Sequence, residues 1–550
     1  MKDRSFFWRR AMIAAVGAVT LVAASHYAAS AMNERVSADP AFAPLVSMHR
    51  VDMRMVPGSL FIAVQGPVRQ MPLLTGMSPA LYAARKAAAA HDSMAPYDPR
   101  PLPGTFDLIP NTPRTIATFG GMADSASICP YFGGCEPPDM ALGASSSWEV
   151  QGVNTSFAVY DPNGNIQSGW PKNAQNFFGV PNPGSCDPNG PFLSDPRAFY
   201  DPKDGRFWVA SLQVEGGFGL NNCAVKSIYW VGVSQTSDPN GAWNIYAFDM
   251  TFGTTNIADY TQIGLDKKAF YFGGNMFNQG GFAYEYDEIF AASKANMEAG
   301  MPVTAHGLKN IKVGSTLLDT VQPVLVEGVS PAAGLFVSSF NMNSNCNSAC
   351  SGINVFAMAH QLTHPSLSEV TASSMNYSFP PGADQPGCTQ CIETLDTRIS
   401  ATPVYSKGNI WFALETGANN GTQTVPGVLW GEITPTLSGS TLTGATMAQN
   451  AVLSFTGDRD ASFGAVMPDK ASNMIMVFDS MSSTLNPSIY YSGRRHADAL
   501  GTLGSPRSLF IGFAPTFNGR WGDFEATSYE GTATNRIWIA SQYSGSSGDW

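Results

Sequence analysis

Seven segments of the chain share one pattern, and this repeat restricts the fold more than any other feature. Each copy has an aspartate, a short apolar-alternating strand, a turn, and a second strand rich in Trp, Phe and Ile. The copies begin at Asp139, Asp195, Asp259, Asp319, Asp396, Asp460 and Asp523. Such self-similarity is typical of propellers and solenoids. We therefore predict an all-β fold, a seven-bladed β-propeller over residues 114–550, with an N-terminal irregular leader region.

A β-helix is the alternative repeat architecture, but its turns would recur every 20–25 residues or so. The copies of this chain start 56 to 77 residues apart, which fits blades of four strands with long loops. Each copy also has an outer half, such as SIYWVGVSQTSDPNGAWNIYAF in the second. The spacing therefore favours the propeller.

The composition is that of a loop-rich extracellular protein. Charged residues make up 13% of the chain, against about 25% in average proteins, while Gly (54) and Pro (38) are abundant. The net charge is -11, and because residues 1–31 contribute four basic residues and one acid (+3), the remainder carries -14. No Lys/Arg cluster follows residue 31. Nucleic acid and anionic membranes are therefore poor candidate partners.

The N-terminus has the form of a secretory signal peptide. A basic start is followed by the apolar stretch AMIAAVGAVTLVAA and by the small residues Ala29-Ser30-Ala31. The apolar stretch is shorter than the roughly 20 residues of a membrane-spanning helix, although an uncleaved anchor is the alternative. We predict a signal peptide over 1–31, a secreted, periplasmic or cell-surface location, and no membrane span in the mature chain.

Residues 32–113 are rich in Met, Ala and Pro and differ from the repeats that follow. We interpret them as a leader or pro-segment, partly irregular, that packs on the propeller. One stretch, SPALYAARKAAAAHDSM, has the composition of a helix.

Eight cysteines follow the export signal, and an even number in an exported chain favours disulfides. Close or plausible pairs are Cys129/Cys135, Cys186/Cys223, Cys346/Cys350 and Cys388/Cys391. The alternative is zinc held by the last two pairs, whose spacing is tolerable for that metal. The oxidising compartment favours disulfides.

Several segments resemble a family of large secreted bacterial β-propeller proteins, most of which have no assigned activity. The resemblance rests on PPDMALGASSSWEVQGVNTSFAVYDPNGN, SDPRAFYDPKDGRFWVAS, ADYTQIGLD and NGRWGDFEATSYE. The run SQTSDPNGAW is also similar to the Asp-box of sialidase-like propellers, with one extra residue before the Gly. The resemblance implies the fold and export, and little about chemistry.

The leading aspartates are the main candidates for a site, because the first strands of propeller blades line the central channel. The candidate catalytic residues are Asp139, Asp195, Asp259, Asp396, Asp460 and Asp523. The candidate ligand-binding residues are their neighbours Arg197, Arg398, Arg459 and Arg520. Together they would bind a sugar acid through bidentate contacts. The alternative is structural, with each aspartate capping a turn or tying neighbouring blades together.

Other motifs carry less chemistry. Tyr260, beside Asp259, is a candidate nucleophile of sialidase type, but we find no Phe-Arg-Ile/Leu-Pro motif. Three Asp-Pro-Asn-Gly runs suit tight turns, or alternatively calcium; they begin at Asp161, Asp187 and Asp238. His360 and His364 would need a helix to present two imidazoles on one face, and the context is a strand and a loop.

The sequence leaves two functions open. The first is an exported binding module for a glycan or an extracellular protein, with no resident cofactor beyond the alternative of a structural calcium ion. The second is an exported hydrolase acting on a polysaccharide, with carboxylates at the channel mouth as acid and base. A metal- or redox-cofactor propeller is disfavoured because histidine, a common metal ligand, is scarce: the chain has seven among 550 residues.

Overall fold

The computed structural model describes residues 36–58, 73–92, 95–99, 101–102, 112–124, 137–182, 186, 192–216, 223–341, 350–516, 520–546 and 550. The predicted signal peptide lies outside these residues. No helix within them has the length and apolar character needed to span a membrane.

The N-terminal part of the chain supplies two strands and a helix: β1 (Val36–Ala43), β2 (Leu45–Asp52) and α1 (Pro79–Ala89). The first two copies supply β3 (Ala141–Ala144), β4 (Glu149–Val153), β5 (Ser156–Tyr160), β6 (Lys172–Asn173), α2 (Ala174–Phe178), β7 (Phe192–Asp201), β8 (Arg206–Glu215), β9 (Lys226–Ser234) and β10 (Ala242–Asp249).

The third and fourth copies supply β11 (Ile257–Leu265), β12 (Ala269–Phe277), β13 (Tyr284–Ser293), α3 (Lys294–Glu298), β14 (Ala305–Val313), β15 (Thr316–Leu317), β16 (Gln322–Pro323), β17 (Leu325–Glu327), β18 (Gly334–Ser338), β19 (Ile353–Ala359), β20 (Ser366–Ala372), β21 (Ala383–Gln385) and β22 (Cys388–Ile392). The last three supply β23 (Val404–Ser406), β24 (Asn409–Asn419), β25 (Thr424–Ser438), β26 (Thr441–Leu453), β27 (Asp460–Pro468), β28 (Met474–Ser482), β29 (Leu485–Arg494), β30 (Arg507–Phe510), β31 (Ala526–Tyr529) and β32 (Ile537–Ala540).

Four separate sheets have the size of a propeller blade, so the prediction of seven blades is wrong. These sheets are β3–β6, β7–β10 with β2, β16 with β18–β20, and β27–β30. The third and fifth copies are joined in one eleven-stranded sheet, because the short strand β17 pairs in parallel with both β11 and β23. In the described chain the seventh copy forms a sheet of two strands, β31 and β32. The all-β class is confirmed.

The copies have a propeller arrangement, with their first strands around a common centre. Residues from β3, β7, β17, β23, β27 and β31 line one central cavity of about 20 Å³. The last copy contacts the first: the backbone N–H of Asp523 donates to Asp139 Oδ1 at 2.7 Å, and that of Ala144 to Ser528 Oγ at 2.8 Å. This cavity is therefore nearly filled by the side chains of the inner strands.

Polar side chains of one copy bind the inner strand of the next, which explains why polar residues repeat within a buried core. Asn154 Oδ1 accepts from the backbone N–H of Asp195 at 2.8 Å, and Asn275 Oδ1 from that of Thr320 at 2.8 Å. The inner strand β7 bulges between Ser194 and Arg197, where Asp195 has φ 50°. Such a conformation is costly for a non-glycine residue, and these hydrogen bonds hold it in place.

The N-terminal region from residue 32 to 113 contains regular structure. β1 pairs with the edge strand β14, and β2 pairs with the edge strand β10. Each adds a fifth strand to the outside of a copy, covering backbone groups that an open edge would expose. The helix predicted for this region is confirmed as α1, which begins after Ser78, whose Oγ accepts from the N–H of Leu81 at 3.3 Å.

Two of the predicted disulfides are present. Cys186 is bonded to Cys223, with 4.9 Å between their Cα atoms, and Cys388 to Cys391. Cys350 is also disulfide-bonded. Cys129, Cys135 and Cys346 lie outside the described residues.

Candidate functional site

Arg398 lies two residues after Asp396 and forms a bidentate ion pair with it. Its Nε donates to Oδ1 at 2.8 Å and its Nη2 to Oδ2 at 2.7 Å. Both side chains are buried, with exposed fractions of 1% and 0%. Burial raises the pKa of Asp396, but the charge and hydrogen bonds of Arg398 outweigh this and hold it below its ordinary value. The Nη1 of Arg398 has no hydrogen-bond partner in the described part of the chain.

Two further arginines also have spare N–H groups. Arg520 Nη2 donates to both carboxylate oxygens of Asp523 at 3.0 Å, while its Nε and Nη1 are buried without a partner among the described residues. Arg197 donates to the backbone carbonyls of Thr261 and Ser400, each at 3.2 Å, and its Nη2 has no partner there. Each guanidinium thus retains at least one unused donor.

The side chain of Tyr260 connects the three arginines. Its ring centre lies 4.4 Å from Arg398 Cζ and 5.7 Å from Arg197 Cζ. Its hydroxyl donates at 3.2 Å to the backbone carbonyl of Asp523, the residue that Arg520 binds. Arg197 and Arg398 therefore lie beside Tyr260, and Arg520 is linked to it through Asp523; we call Arg197, Arg398 and Arg520 the arginine cluster.

Asp259 lies beside Tyr260 and is the leading aspartate with the freest carboxylate. It is half-buried, and no described residue donates a hydrogen bond to its carboxylate. Burial raises its pKa well above the ordinary value, the charges of Asp195 and Asp523 raise it further, and the cluster arginines partly offset this. Asp259 therefore keeps its proton to a higher pH than an ordinary aspartate does.

The other carboxylates close to the cluster are engaged in structural bonds. Asp139 accepts from the backbone N–H of Asp523 and from Asn154 Nδ2 at 2.8 Å. Asp195 accepts from Ser194 Oγ at 2.9 Å and from the backbone N–H of Thr261 at 3.2 Å. These bonds tie neighbouring copies together, as the structural alternative predicts.

Two leading aspartates are bound by residues other than arginine, and one predicted arginine lies elsewhere. Asp460 accepts from the backbone N–H of Asp384 at 2.6 Å. Arg459 lies with its Cζ 4.6 Å and 4.3 Å from the ring centres of Phe455 and Tyr490. Arg459 is therefore not an ion-pair partner of Asp460. Asp319 accepts from Asn341 Nδ2 at 2.9 Å.

The hydroxyl of Tyr260 is poorly suited to act as a nucleophile. Burial raises its pKa well above the ordinary value, against the opposing charges of Arg398 and Arg197. The hydroxyl is also occupied as a donor to a backbone carbonyl. Both features disfavour the phenolate that nucleophilic attack requires.

The helix α1 lies close to the arginine cluster, which the sequence did not indicate. Tyr82 Oη donates to Glu393 Oε1 at 2.7 Å, and Lys86 Nζ lies 2.9 Å from the same oxygen. Lys86, Glu393 and Arg520 line a cavity of about 510 Å³. The helix is visible in the sequence, but no local signal shows which surface it covers.

The remaining motifs form turns or ion pairs. Asp161 Oδ1 accepts from the backbone N–H of Asn163 at 2.8 Å, and Asp238 Oδ1 from that of Asn240 at 3.0 Å, so both Asp-Pro-Asn-Gly runs form Asx turns. Asp187 lies outside the described residues. The backbone N–H of His364 donates to the carbonyl of His360 in a turn after β19.

One acidic group has the geometry of a cation site, and a lysine already occupies its centre. Asp201, Asp204 and Glu298 lie close together. Lys294 Nζ contacts Asp201 and Asp204 and lies 3.5 Å from Glu298 Oε1. The ammonium group therefore supplies the positive charge that these carboxylates need.

The fold and the central cluster define an all-β protein of propeller arrangement with a buried, arginine-rich centre. Among solved structures it is similar to a Trypanosoma rangeli sialidase (11% identity, 64% of this chain and 54% of that chain, TM-score 0.31). It is also similar to an exo-β-1,3-galactanase from Phanerochaete chrysosporium (11% identity, 72% of this chain and 93% of that chain, TM-score 0.30). A third similar structure is that of a Cellvibrio cellulosa α-L-arabinanase (10% identity, 68% of this chain and 95% of that chain, TM-score 0.27). No family model and no curated protein matches the chain.

Proposed function

We propose that this protein is an exported glycan-acting hydrolase whose substrate carries a carboxylate. The observation that carries the proposal is the arginine cluster: Arg197 and Arg398 lie beside Tyr260, Arg520 is linked to it through Asp523, and each has a buried N–H that lacks a partner among the described residues. Guanidinium groups bind carboxylates through strong, charge-assisted hydrogen bonds. The cluster therefore suits the acidic group of a sugar acid.

Asp259 is the proposed general acid. Its raised pKa keeps the carboxyl protonated to a higher pH than in an ordinary aspartate, and the protonated form donates a proton to a departing glycosidic oxygen. Hydrolysis of a glycoside commonly uses a second carboxyl group. Asp195 and Asp523, whose charges raise the pKa of Asp259, are the candidates for that second role.

Export is part of the same proposal. The disulfide between Cys186 and Cys223 supports an oxidising compartment. The pattern of residues 1–31 supports removal of a signal peptide. A glycan outside the cell is the substrate that such a location makes available.

A non-catalytic binding module is the second candidate, and it is favoured by how the other carboxylates are used. Asp139, Asp195 and Asp396 all accept hydrogen bonds that hold the copies together or neutralise an arginine. Glycoside hydrolysis commonly needs two carboxyl groups, so a site with one available carboxyl group suits binding of an acidic glycan better than its cleavage. The two candidates share the arginine cluster and differ in the role of Asp259.

The test combines turnover and binding. Hydrolysis of methylumbelliferyl glycosides of glucuronic, galacturonic and sialic acid gives turnover, and calorimetry with the free sugar acids gives Kd. We expect Asp259→Asn to lower kcat by about a hundredfold with Kd nearly unchanged. Arg520→Lys should raise Kd about tenfold, because lysine cannot form the same planar contacts. Asp458→Asn, another half-buried aspartate, is the matched control.

The outcomes separate the candidates. Binding that depends on Arg520 without turnover of any glycoside would establish the binding module instead. If neither the unaltered protein nor Arg520→Lys binds any of the three sugar acids, the arginine cluster is structural and both candidate functions are wrong.

A further inference from the structure

A second and larger cavity lies beside the seventh copy, away from the arginine cluster. Its volume is about 810 Å³. All four residues of β32 line it, and all four are half-exposed. In the described chain β32 pairs with β31 and has no strand on its other edge. The cavity therefore lies beside a copy with two strands in the described chain, where the blade-sized sheets have four or five.

The walls of this cavity are mainly apolar. Trp538 and Ile539 of β32, Ile489 of β29, Leu509 of β30 and Phe119 are among the residues that line it. Small-molecule sites are typically clefts of roughly 300–1,000 Å³ with apolar and aromatic walls and a few polar groups. The cavity has the size and the lining of such a site.

The charge of the cavity is strongly positive. Five arginines line it: Arg114, Arg494, Arg495, Arg507 and Arg536. The described part of the wall contains two acidic residues, Asp469 and Glu149, and Asp469 accepts from Asn473 Nδ2 and Asn535 Nδ2 at 2.9 Å and 3.1 Å. Glu149 is buried, and burial raises its pKa to about 8, so it is mostly neutral at pH 7. This concentration of positive charge contrasts with a chain whose net charge is -11.

Two buried polar atoms in the wall lack partners. Glu149 and Arg494 are each 3% exposed. Glu149 Oε1 and Arg494 Nε have no hydrogen-bond partner among the described residues. A buried polar group without a partner destabilises the folded state. Both groups line the cavity, where a ligand would supply the missing bonds.

We propose that this cavity is a binding site for a small amphipathic anion, an apolar ring system or chain that carries a carboxylate or sulfonate. The apolar body lies against Trp538, Ile539 and Ile489. The acidic group binds the arginines, and the carboxyl of Glu149 donates a hydrogen bond to it. The site is separate from the proposed hydrolase site and does not depend on it.

The test uses two fluorescent probes on the full chain. Anilinonaphthalene sulfonate has an aromatic body with a sulfonate, and phenylnaphthylamine is its neutral counterpart. We expect one sulfonate probe to bind per chain. Arg536→Gln should weaken that binding about tenfold, the loss of one charge-assisted contact, and leave the neutral probe unaffected. Arg54→Gln, far along the chain in an exposed ion pair, is the control.

A cavity-filling variant tests the location. Ile539→Trp should abolish binding of both probes while the melting temperature stays near that of the unaltered protein. If this variant does not fold, Leu509→Phe replaces it, because Leu509 also lines the cavity. Full binding by a folded filled variant, or equal effects of Arg536→Gln and Arg54→Gln, would overturn the proposal.

Discussion

Arg398 binds Asp396 through the same two hydrogen bonds by which Arg54 binds Asp52, and the two pairs differ in their exposure. Both follow the order Asp-x-Arg, with Nε to Oδ1 at 2.8 Å in each and Nη2 to Oδ2 at 2.7 Å and 2.6 Å. The central pair is 1% and 0% exposed, whereas the Arg54 pair is 70% and 33% exposed. The chain therefore contains its own control for the effect of burial on an ion pair.

Breaking the central pair should strongly destabilise the fold. Arg398→Gln leaves the carboxylate of Asp396 buried and unpaired, and the expected loss is about 3–5 kcal/mol in the free energy of unfolding. Urea denaturation measures it. Arg54→Gln should leave the midpoint nearly unchanged, because exposed pairs contribute little. Equal shifts in the two variants would show that burial is not the deciding factor.

The stability of the protein should fall between pH 5 and 8. Four buried glutamates have a pKa raised to about 8, mainly by burial, and therefore hold protons in the folded state that the unfolded state releases above pH 4.5 or so: Glu149, Glu288, Glu327 and Glu415. A raised folded-state pKa gives stability that is present at low pH and is lost as the pH rises. Each group contributes a slope of up to ~1.4 kcal/mol per pH unit.

Glu415→Gln isolates one of these groups. Glu415 is fully buried, and its Oε1 accepts from the backbone N–H of Gly464 at 3.1 Å. Glutamine keeps that acceptor and cannot ionise, so the melting temperature should depend less on pH. Thermal unfolding from pH 5 to 8 measures the slope, with the exposed Glu285→Gln as the control. An unchanged slope in Glu415→Gln would mean that this carboxyl group ionises freely.

The arginine assignments show what sequence spacing predicts. Residues two apart on a strand share a face, and adjacent residues do not. Asp396 and Arg398 lie in the irregular segment between β22 and β23 and still form a pair, whereas Arg459 precedes β27 and contacts Phe455 and Tyr490. Arg197 is also two residues after an aspartate, but a bulge shifts the register between Ser194 and Arg197 and directs the guanidinium elsewhere. The bulge has no clear signal in the sequence.

The blade count failed for a different reason. The repeat located the inner strands well, and the aspartates that begin the copies are almost all buried near the centre. Whether two copies form separate sheets depends on β17, a strand of three residues that pairs with distant partners. Pairing of this kind is set by tertiary contacts rather than by local pattern. The same holds for β1 and β2, which have no partner near them in sequence.

The N-terminal strands should be required for stability. β1 covers the edge of β14, and β2 covers the edge of β10. Deletion of residues 32–52 exposes both edges, so we expect a lower melting temperature and association between chains. Thermal unfolding and light scattering measure these effects. A chain lacking residues 1–31 is the control, and equal behaviour of the two truncations would contradict the prediction.

The disulfide between Cys186 and Cys223 should contribute a large part of the stability of the second copy. It closes a loop with a sequence separation of 37. The chain-entropy relation gives about 4 kcal/mol for a loop of this length. The double variant Cys186→Ser, Cys223→Ser should therefore unfold at a lower urea concentration, with a free energy of unfolding reduced by about 4 kcal/mol. The double replacement of Cys388 and Cys391, separated by 3 residues, should have a smaller effect.

The helix α1 should control access to the arginine cluster. Lys86 and Tyr82 fasten it to Glu393, and the cavity below it reaches Arg520. Replacing both contacts, as Tyr82→Phe with Lys86→Met, should loosen the helix and raise the association rate of a sugar acid several-fold. The dissociation rate should rise less, because neither residue belongs to the arginine cluster.

Stopped-flow binding measures both rates. Arg85→Gln, on the same helix with its Cζ 5.9 Å from the ring centre of Phe379, is the matched control because it leaves the contacts to Glu393 in place. An association rate that is the same in the double variant and in Arg85→Gln would show that the ligand reaches the cluster by a route that α1 does not cover.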